Sequence, residues 1–384
     1  MQVKVTGMRI LYYIHDLGIG GAECLVTDYL LHIDNAGHKV GLVVSFHVDT
    51  HLYKRLSAAG IPVYSINGRR TGNKLVNKAK QLWVKNIVSY RRRWQVILDD
   101  FQPDVLHIHT SVRSFPTDVY PMEKTVYTFH AEVSRLIKIL DMRDVGKLQY
   151  MADCGMHFIA INRHMVNDCR RYFSTDNICY IPNGVDFSKV RKGDRTRILN
   201  SVNIPEDAFI IGHVGRFHPV KNHEFLIKVF KEILKRNNNA YLFLVGGGDV
   251  KLMEHIRTSA INEGFGDRVV FWGTRDDASA IMSTFDCMVL PSFSESFSLV
   301  LLEAQVLGVR CVASDAIPEE VICKDNCFRL SLSDSIELWA EIALGETSIN
   351  KENGSCIDDY EMANVVARLI DCYKQISESN YGRA

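Results

Sequence analysis

Glu295 and Glu303 stand in the run Pro291-Ser-Phe-Ser-Glu295-Ser-Phe-Ser-Leu-Val-Leu-Leu-Glu303-Ala. The apolar stretch from Cys287 to Leu290 reads as a strand running into a loop, and a helix is expected from near Ser298. Glu295 then lies in the loop and Glu303 more than one turn into the helix. Both can face the carboxyl end of one sheet, where doubly wound folds bind ligands. The helix N-terminus offers free amides and partial positive charge between them. Carboxylates accept hydrogen bonds from sugar hydroxyls and amides suit phosphate, so a ligand carrying both would fit. On spacing alone, a solvated helix glutamate and a loop charge fit equally well.

A second cluster, Gly212-His-Val-Gly-Arg216-Phe-His-Pro-Val-Lys221-Asn, puts two cations on one strand-to-helix loop. A guanidinium fork and an ammonium together can hold a diphosphate, with surface charge as the plain alternative. Asp16-Leu-Gly-Ile-Gly-Gly-Ala-Glu23 places glycines between a strand and a helix, where amides can approach phosphate. Glu23 stands where a dinucleotide fingerprint needs its third glycine, so this run serves a tight turn equally well. Val126-Tyr-Thr-Phe-His130 ends a strand with a histidine able to carry a proton or offer a hydrogen bond. His107 and His109 share one face of their strand and, lacking a third ligand, read as core-edge residues. No Asp-x-Asp occurs in the sequence, so the expectation is that no metal holds the diphosphate and that Arg216, Lys221 and helix ends take its place.

These residues need two scaffolds. The chain of 384 residues, 47% hydrophobic and 23% charged, has the length and composition of two soluble α/β domains. Its formal net charge of zero gives no general pull toward nucleic acid. No apolar run reaches the length needed to span a bilayer. Met8-Arg9-Ile10-Leu11 reads as the start of the first strand, with residues 1–7 as an extension. The ten cysteines are scattered, with Cys24 and Cys169 in helical contexts and Cys287 and Cys311 in strand-like ones. Cys323 and Cys327 have no histidine pair to complete a zinc set. This usage suits free thiols in a reducing cytosol rather than a disulfide framework.

Strands are expected near 9–14, 39–46, 61–66, 104–108, 125–129 and 157–161, then near 209–215, 240–246, 268–272, 286–290 and 310–314. They are continuous apolar runs alternating with helical stretches, the pattern of parallel sheets covered on both faces. The turn chemistry of Ile181-Pro-Asn-Gly-Val-Asp186 marks a boundary region at 183–205. An apolar-periodic segment near 360–376 reads as a helix that crosses back onto the first domain.

Between Arg69 and Arg93 stand nine basic residues and no acid: Arg69, Arg70, Lys74, Lys78, Lys80, Lys85, Arg91, Arg92 and Arg93. Leu75, Ala79, Leu82, Trp83, Ile87, Tyr90 and Trp94 recur at helical spacing. The expectation is that this stripe packs on the sheet while the basic face touches anionic lipid headgroups.

Taken in order, Gly20-Gly21-Ala22-Glu23, His130, Ile181-Pro-Asn-Gly-Val-Asp186, Val214-Gly-Arg216 with Lys221, Val245-Gly-Gly-Gly248 and the Glu295 and Glu303 pair resemble the retaining glycosyltransferases of family 4. The resemblance covers nearly the whole chain. It implies the GT-B fold: an acceptor-side Rossmann-like domain over 1–188, a nucleotide-sugar-binding one over 189–362, and a C-terminal helix over 363–384, with the donor in the cleft between the domains. It also implies roles. Glu303 would accept from the donor's ribose hydroxyls and Glu295 from the donor sugar. Arg216 and Lys221 would clamp the diphosphate. Backbone amides near Gly20, Gly21, Ser298 and Leu299, beside Phe297, would complete the cradle. His130 would lie by the transferred sugar. Trp272-Gly-Thr274-Arg275 would meet the nucleobase through its backbone. One departure is Glu295-Ser-Phe, where many members have Glu-Gly-Phe.

Glu303-Ala-Gln305 with Ser314-Asp-Ala-Ile-Pro-Glu-Glu-Val321 further resembles bacterial enzymes of capsule and exopolysaccharide assembly. The implied activity is metal-independent transfer, with retention, from a UDP-sugar to a saccharide or lipid-linked saccharide. It implies a cytoplasmic enzyme, peripheral on the inner membrane face. The rivals are a nucleotide-sugar epimerase on a related fold and a non-catalytic partner subunit; a dinucleotide dehydrogenase is disfavoured at Glu23.

Overall fold

A computed structural model describes residues 7–18, 20–48, 50–84, 88–109, 112–113, 115–347 and 356–378. Residues 1–6 of the expected extension, Ile19 of the glycine run, Lys85 and Ile87 of the basic stretch, and 379–384 of the last segment lie outside the described residues.

Two compact units form, one from Met1–Gly184 with Met362–Ala384 and one from Val185–Glu361. The expected boundaries at 188/189 and 362/363 move to 184/185 and 361/362. At that division the Val185 N–H donates to Tyr360 O at 2.8 Å, so both crossings lie beside one another within the second unit.

In the first unit, β1 (Arg9–Ile14), β2 (Lys39–Val44), β3 (Val63–Ser65), β4 (Val105–Ile108), β5 (Thr125–Thr128), β6 (His157–Ala160) and β7 (Ile178–Tyr180) make a parallel sheet in the order β3-β2-β1-β4-β5-β6-β7. Ile10, Leu11, Tyr12, Tyr13 and Ile14 are all buried, because helices cover both faces of a central parallel strand. Strand order reverses between β1 and β4, so the carboxyl ends of those two strands flank the switch point.

The second unit repeats this plan with β8 (Phe209–Val214), β9 (Ala240–Val245), β10 (Val269–Gly273), β11 (Cys287–Leu290), β12 (Arg310–Ser314) and β13 (Cys327–Leu330), all parallel, in the order β10-β9-β8-β11-β12-β13. Its switch point lies between β8 and β11.

Two strands escape the sequence reading, β7 and β13, and both are short sheet edges. Ile178, Cys179 and Tyr180 are each only half-buried. Arg329 interrupts the apolar run of β13 because its guanidinium bonds Ile317 O and Asp315 O.

The last helix, Met362–Glu378, supplies Val365, Val366, Leu369, Ile370, Tyr373 and Ile376 to the core of the first unit, alongside Ile10, Tyr12 and Leu30. The basic stretch departs from expectation. It is not one helix packed by its apolar stripe but two, Lys74–Trp83 and Tyr90–Phe101, separated by Ser89 with φ 69°. The second buries Trp94. The first buries nothing: Leu75 is 77% exposed, Leu82 48% and Trp83 47%. Periodicity marks a shared face and does not say that the face finds a partner.

Candidate active site

At the carboxyl end of β8 the chain turns through Gly215-Arg216-Phe217, and neighbouring loops hold this turn by backbone bonds. Phe217 N–H donates to Gly247 O at 2.8 Å and Asp249 N–H to Phe217 O at 2.9 Å. Gly246 N–H donates to Gly273 O at 2.8 Å, tying in the end of β10. Only glycine fits at two of these positions. Gly246 has φ 139° and a Cβ there would stand 2.0 Å from Gly215 O; at Gly248, φ 149°, it would stand 2.4 Å from Phe217 O.

After that turn, a single helical turn, Pro219–Lys221, is set by His218, whose Nδ1 accepts from the Val220 N–H at 3.2 Å. Phe293 N–H donates to Val220 O at 2.8 Å, joining this loop to the one after β11. The join brings Lys221 Nζ onto the Glu295 carboxylate. Ser292 Oγ donates to Glu295 Oε1 at 3.0 Å, and Ser314 Oγ to Ser292 O at 2.6 Å. The two sequence clusters thus meet at the switch point of the second sheet. Ser292, Ser314, His213 and His223 were not singled out as site residues. The only signal was adjacency, Ser292 just past a strand end and His213 inside the glycine-flanked run.

His213 and His223 wall the lysine. His213 Nδ1 donates to Val289 O at 2.9 Å, since the carbonyl can only accept, which leaves Nε2 as the acceptor. That Nε2 and both nitrogens of buried His223 have no partner among the described residues. Burial, and then the Lys221 charge, lowers His223 to about 4. Burial above all also holds His213 well below the ordinary imidazole range. The rings are therefore neutral at pH 7, with His223 stacked on Phe217 at 4.4 Å.

The helix Leu299–Leu307 begins at Ser298, which is 3% exposed and whose hydroxyl has no partner among the described residues. Phe297 packs beside Tyr360, ring centroids 5.7 Å apart. Half-buried Glu303 has no hydrogen-bond or ionic partner among the described residues, and burial pushes its carboxyl up to about 7. Arg216 is exposed, with no ion-pair partner among the described residues. Exposed Thr274 keeps its hydroxyl beside Gly247, where an added Cβ would meet it at 2.5 Å. Arg275 is engaged locally: both arms of its guanidinium bond Asp277 at 2.8 Å.

Gly20, Gly21 and His130 belong to the first unit. Gly20 is extended ahead of the helix Gly21–Asn35, and a Cβ on it would stand 2.1 Å from Glu23 Oε2, so this carboxylate curls back over the first turn. His130 follows β5, its Nε2 3.0 Å from His109 Nδ1 with the rings stacked. Desolvation lowers His130 to about 4 and holds His107 and His109 well below the ordinary imidazole range. His107 and His109, expected at the core edge, are instead wholly inside it. For His107 the burial is matched by a hydrogen-bonded chain: Tyr12 OH to Tyr373 OH at 2.6 Å, Tyr373 OH to His107 Nδ1 at 2.6 Å, and His107 Nε2 to Thr128 Oγ1 at 2.7 Å; His109 Nε2 has no partner among the described residues. A separate grouping, Glu132, His164 and Asp168, brings one ligand atom each within 4.8 Å; none of these was read as a site residue, and His164 is exposed.

The Glycosyltransferase Family 4 model matches residues 19–189 and the "Glycosyl transferases group 1" model residues 208–344. The EpsF protein of Bacillus subtilis (strain 168) is 32% identical over 217 residues, 54% of this chain and 56% of that protein. The UDP-Gal:alpha-D-GlcNAc-diphosphoundecaprenol alpha-1,3-galactosyltransferase of Escherichia coli is 27% identical over 247 residues, 60% of this chain and 63% of that protein. The match thus spans little more than half the length of these curated relatives. Among solved structures, HepE of Anabaena in complex with UDP and glucose superposes with a TM-score of 0.70 at 18% identity, covering 97% of this chain and 99% of that one. With two doubly wound parallel sheets and family matches in both units, the protein belongs to the family 4 glycosyltransferases and has their GT-B fold.

Proposed function

We propose that the protein transfers a sugar from a UDP-sugar, with retention and without a metal, to a saccharide or lipid-linked saccharide hydroxyl. The observation that carries this reading is the Lys221–Glu295 pair at the second switch point, its glutamate on the loop that leads into the helix of Glu303, whose opening residue Ser298 has a hydroxyl with no partner among the described residues. In that reading Lys221, exposed Arg216 and the amides opening the helix Leu299–Leu307 receive the diphosphate as the bond to the sugar breaks. Electrostatic stabilisation of that kind is usually the largest single contribution. Glu303 takes two ribose hydroxyls, and a carboxylate that lacks any other donor is free to do so. Glu295 is held by Ser292 so that it can accept from the sugar while keeping Lys221 in place. Thr274 and Arg275 meet the base by their backbone. In the first unit, the amides at Gly20 and Gly21 approach phosphate, and His130, kept neutral, offers a hydrogen bond to a sugar hydroxyl. The UDP named with HepE and the UDP-Gal named with the Escherichia coli enzyme support a UDP donor.

Calorimetry with UDP, GDP and ADP in the presence of a chelator tests the reading, followed by turnover of the matching nucleotide sugar. The expected result is selective UDP binding, and turnover that the chelator does not alter. Equal failure of all three nucleotides overturns the donor site, and dependence on an added divalent ion overturns the metal-free step.

The exposed stripe on the helix Lys74–Trp83 favours a peripheral contact with anionic lipid at the inner membrane face. Leu75, Val76, Leu82 and Trp83 stand in water beside Lys74, Lys78 and Lys80, and that helix carries no acid. Among the described residues no helix is long and apolar enough to cross a membrane. Each cation near such a surface contributes about 1 kcal/mol. Sedimentation with anionic vesicles is expected to fall with salt and with Leu75→Glu; binding that neither change weakens rejects the contact.

A further inference from the structure

We propose that Cys179 and Cys372 form a thiol–disulfide modification site that covalently fastens the last helix to the edge of the first sheet. Cys179 lies in β7 and Cys372 in the helix Met362–Glu378, and the Cys372 thiol donates to Cys179 Sγ at 3.0 Å. That separation is already well inside ordinary contact between two sulfurs, and a disulfide needs a further approach of only about 1 Å. Cys372 is 5% exposed, whereas Cys179 is half-buried on an edge strand, so an oxidant reaches Cys179 first. The hydrogen bond from Cys372 also holds the Cys179 thiol below the usual thiol range, which favours its thiolate as the attacking group.

The chemistry needs a low-molecular-weight disulfide such as glutathione disulfide. The Cys179 thiolate attacks one of its sulfurs, the S–S bond breaks, and one glutathione leaves as thiolate. Cys372 gives up its proton and attacks Cys179 Sγ, and the second glutathione leaves and takes the proton. Two protein thiols are oxidised to one disulfide while one small disulfide is reduced to two thiols.

Position makes the link consequential. The chain leaves the first unit after Gly184 and re-enters it at Met362, so the two cysteines flank the exit and the return. A bond between them closes a covalent loop that contains the whole second unit. It also adds a covalent tie to a helix that packs on the first unit through its apolar face and Tyr373. Cross-linking restricts the unfolded chain and so stabilises the folded one.

The full-length protein is incubated with glutathione disulfide and digested with trypsin without reductant. Cleavage after lysine and arginine isolates Tyr172–Lys189 and Leu369–Lys374, each with one cysteine. The expected product is these two peptides joined, at the mass of their sum less two hydrogens and released by reductant. The oxidised wild type is expected to melt higher than the reduced form, whereas Cys179→Ser, which alters only the half-buried partner, shows no such difference. Glutathione retained on Cys179, linkage of either peptide to a different cysteine, or no cross-link at all overturns the proposal. The same rise in melting temperature in Cys179→Ser also overturns it, by assigning the effect to other thiols.

Discussion

The carboxyl ends of the two sheets are built on one topology and furnished in opposite ways. In the first unit, the ends of β4 and β5 carry His107, His109 and His130, neutral and hydrogen-bonded to one another or to Tyr373 and Thr128, with His109 Nε2 left without a partner among the described residues. In the second, the ends of β8 and β11 carry Lys221, Glu295, Arg216 and Glu303, with one ion pair among the described residues and several groups that have no partner among them. A satisfied buried polar network specifies and stiffens a core, whereas an unsatisfied one costs free energy until something binds. The first site is the more nearly satisfied of the two, and under the proposed function the open groups of the second are the ones a ligand would complete.

The strongest way to break that comparison is Lys221→Ala. If the second site supplies charge to a departing diphosphate, kcat/KM falls by about 10²–10³-fold, the scale of removing one preorganised electrostatic donor. The fold survives, because Lys221 and Glu295 are both near the surface and Ser292 still holds the carboxylate. Steady-state kinetics beside a thermal melt separates the two effects. Activity within a few-fold of wild type would erase the contrast between the sheets.

Glu303→Gln sharpens it, because stability and binding should move in opposite directions. The carboxyl stands at about 7 in the folded chain against an ordinary 4.5. Between those values the folded state binds more protons than the unfolded state, so this group's contribution to stability falls as pH rises from 4.5 to 7. Glutamine removes that loss, so the variant should melt higher than wild type above pH 7 yet bind UDP more weakly by about 1.5–3 kcal/mol. His130 has the opposite sign. Its value drops from 6.5 to about 4, so its contribution is present above 6.5 and is lost as pH falls toward 4. Melts of the wild type and the glutamine variant from pH 4 to 8 check both slopes. Parallel curves for the two proteins would show that Glu303 is not held in its raised state.

Much of this was legible in sequence where structure is local. The strands from β8 to β12 are continuous apolar runs, and the glycines, cations and glutamates at their ends stand in short loops whose direction the strand dictates. What was illegible depends on partners far away in the chain. Edge strand β7 buries too little to leave an apolar run, and in β13 Arg329, tied to Ile317 O and Asp315 O, interrupts one. Leu75 and Trp83 obey helical periodicity, yet their face stays in water. Ser292 looks like any loop serine until Glu295 folds back on it. The chain from Tyr12 through Tyr373 to His107 joins residues separated by 361 and 266 positions, for which no local spacing exists.

That chain gives the smallest effect and the cleanest one. Tyr373→Phe keeps the ring in the core and deletes one hydroxyl, leaving Tyr12 OH and His107 Nδ1 buried without their shared partner. The expected loss is about 1–2 kcal/mol of stability. UDP affinity should not change, since Tyr373 lies in the first unit's core. Because every member of the chain is neutral and buried, the loss should be the same at low and high salt, whereas effects at Lys221 should shrink as salt screens the charge. A salt-dependent loss at Tyr373 would mean that a histidine in this cluster carries charge, and the first site would then resemble the second more closely than its geometry indicates.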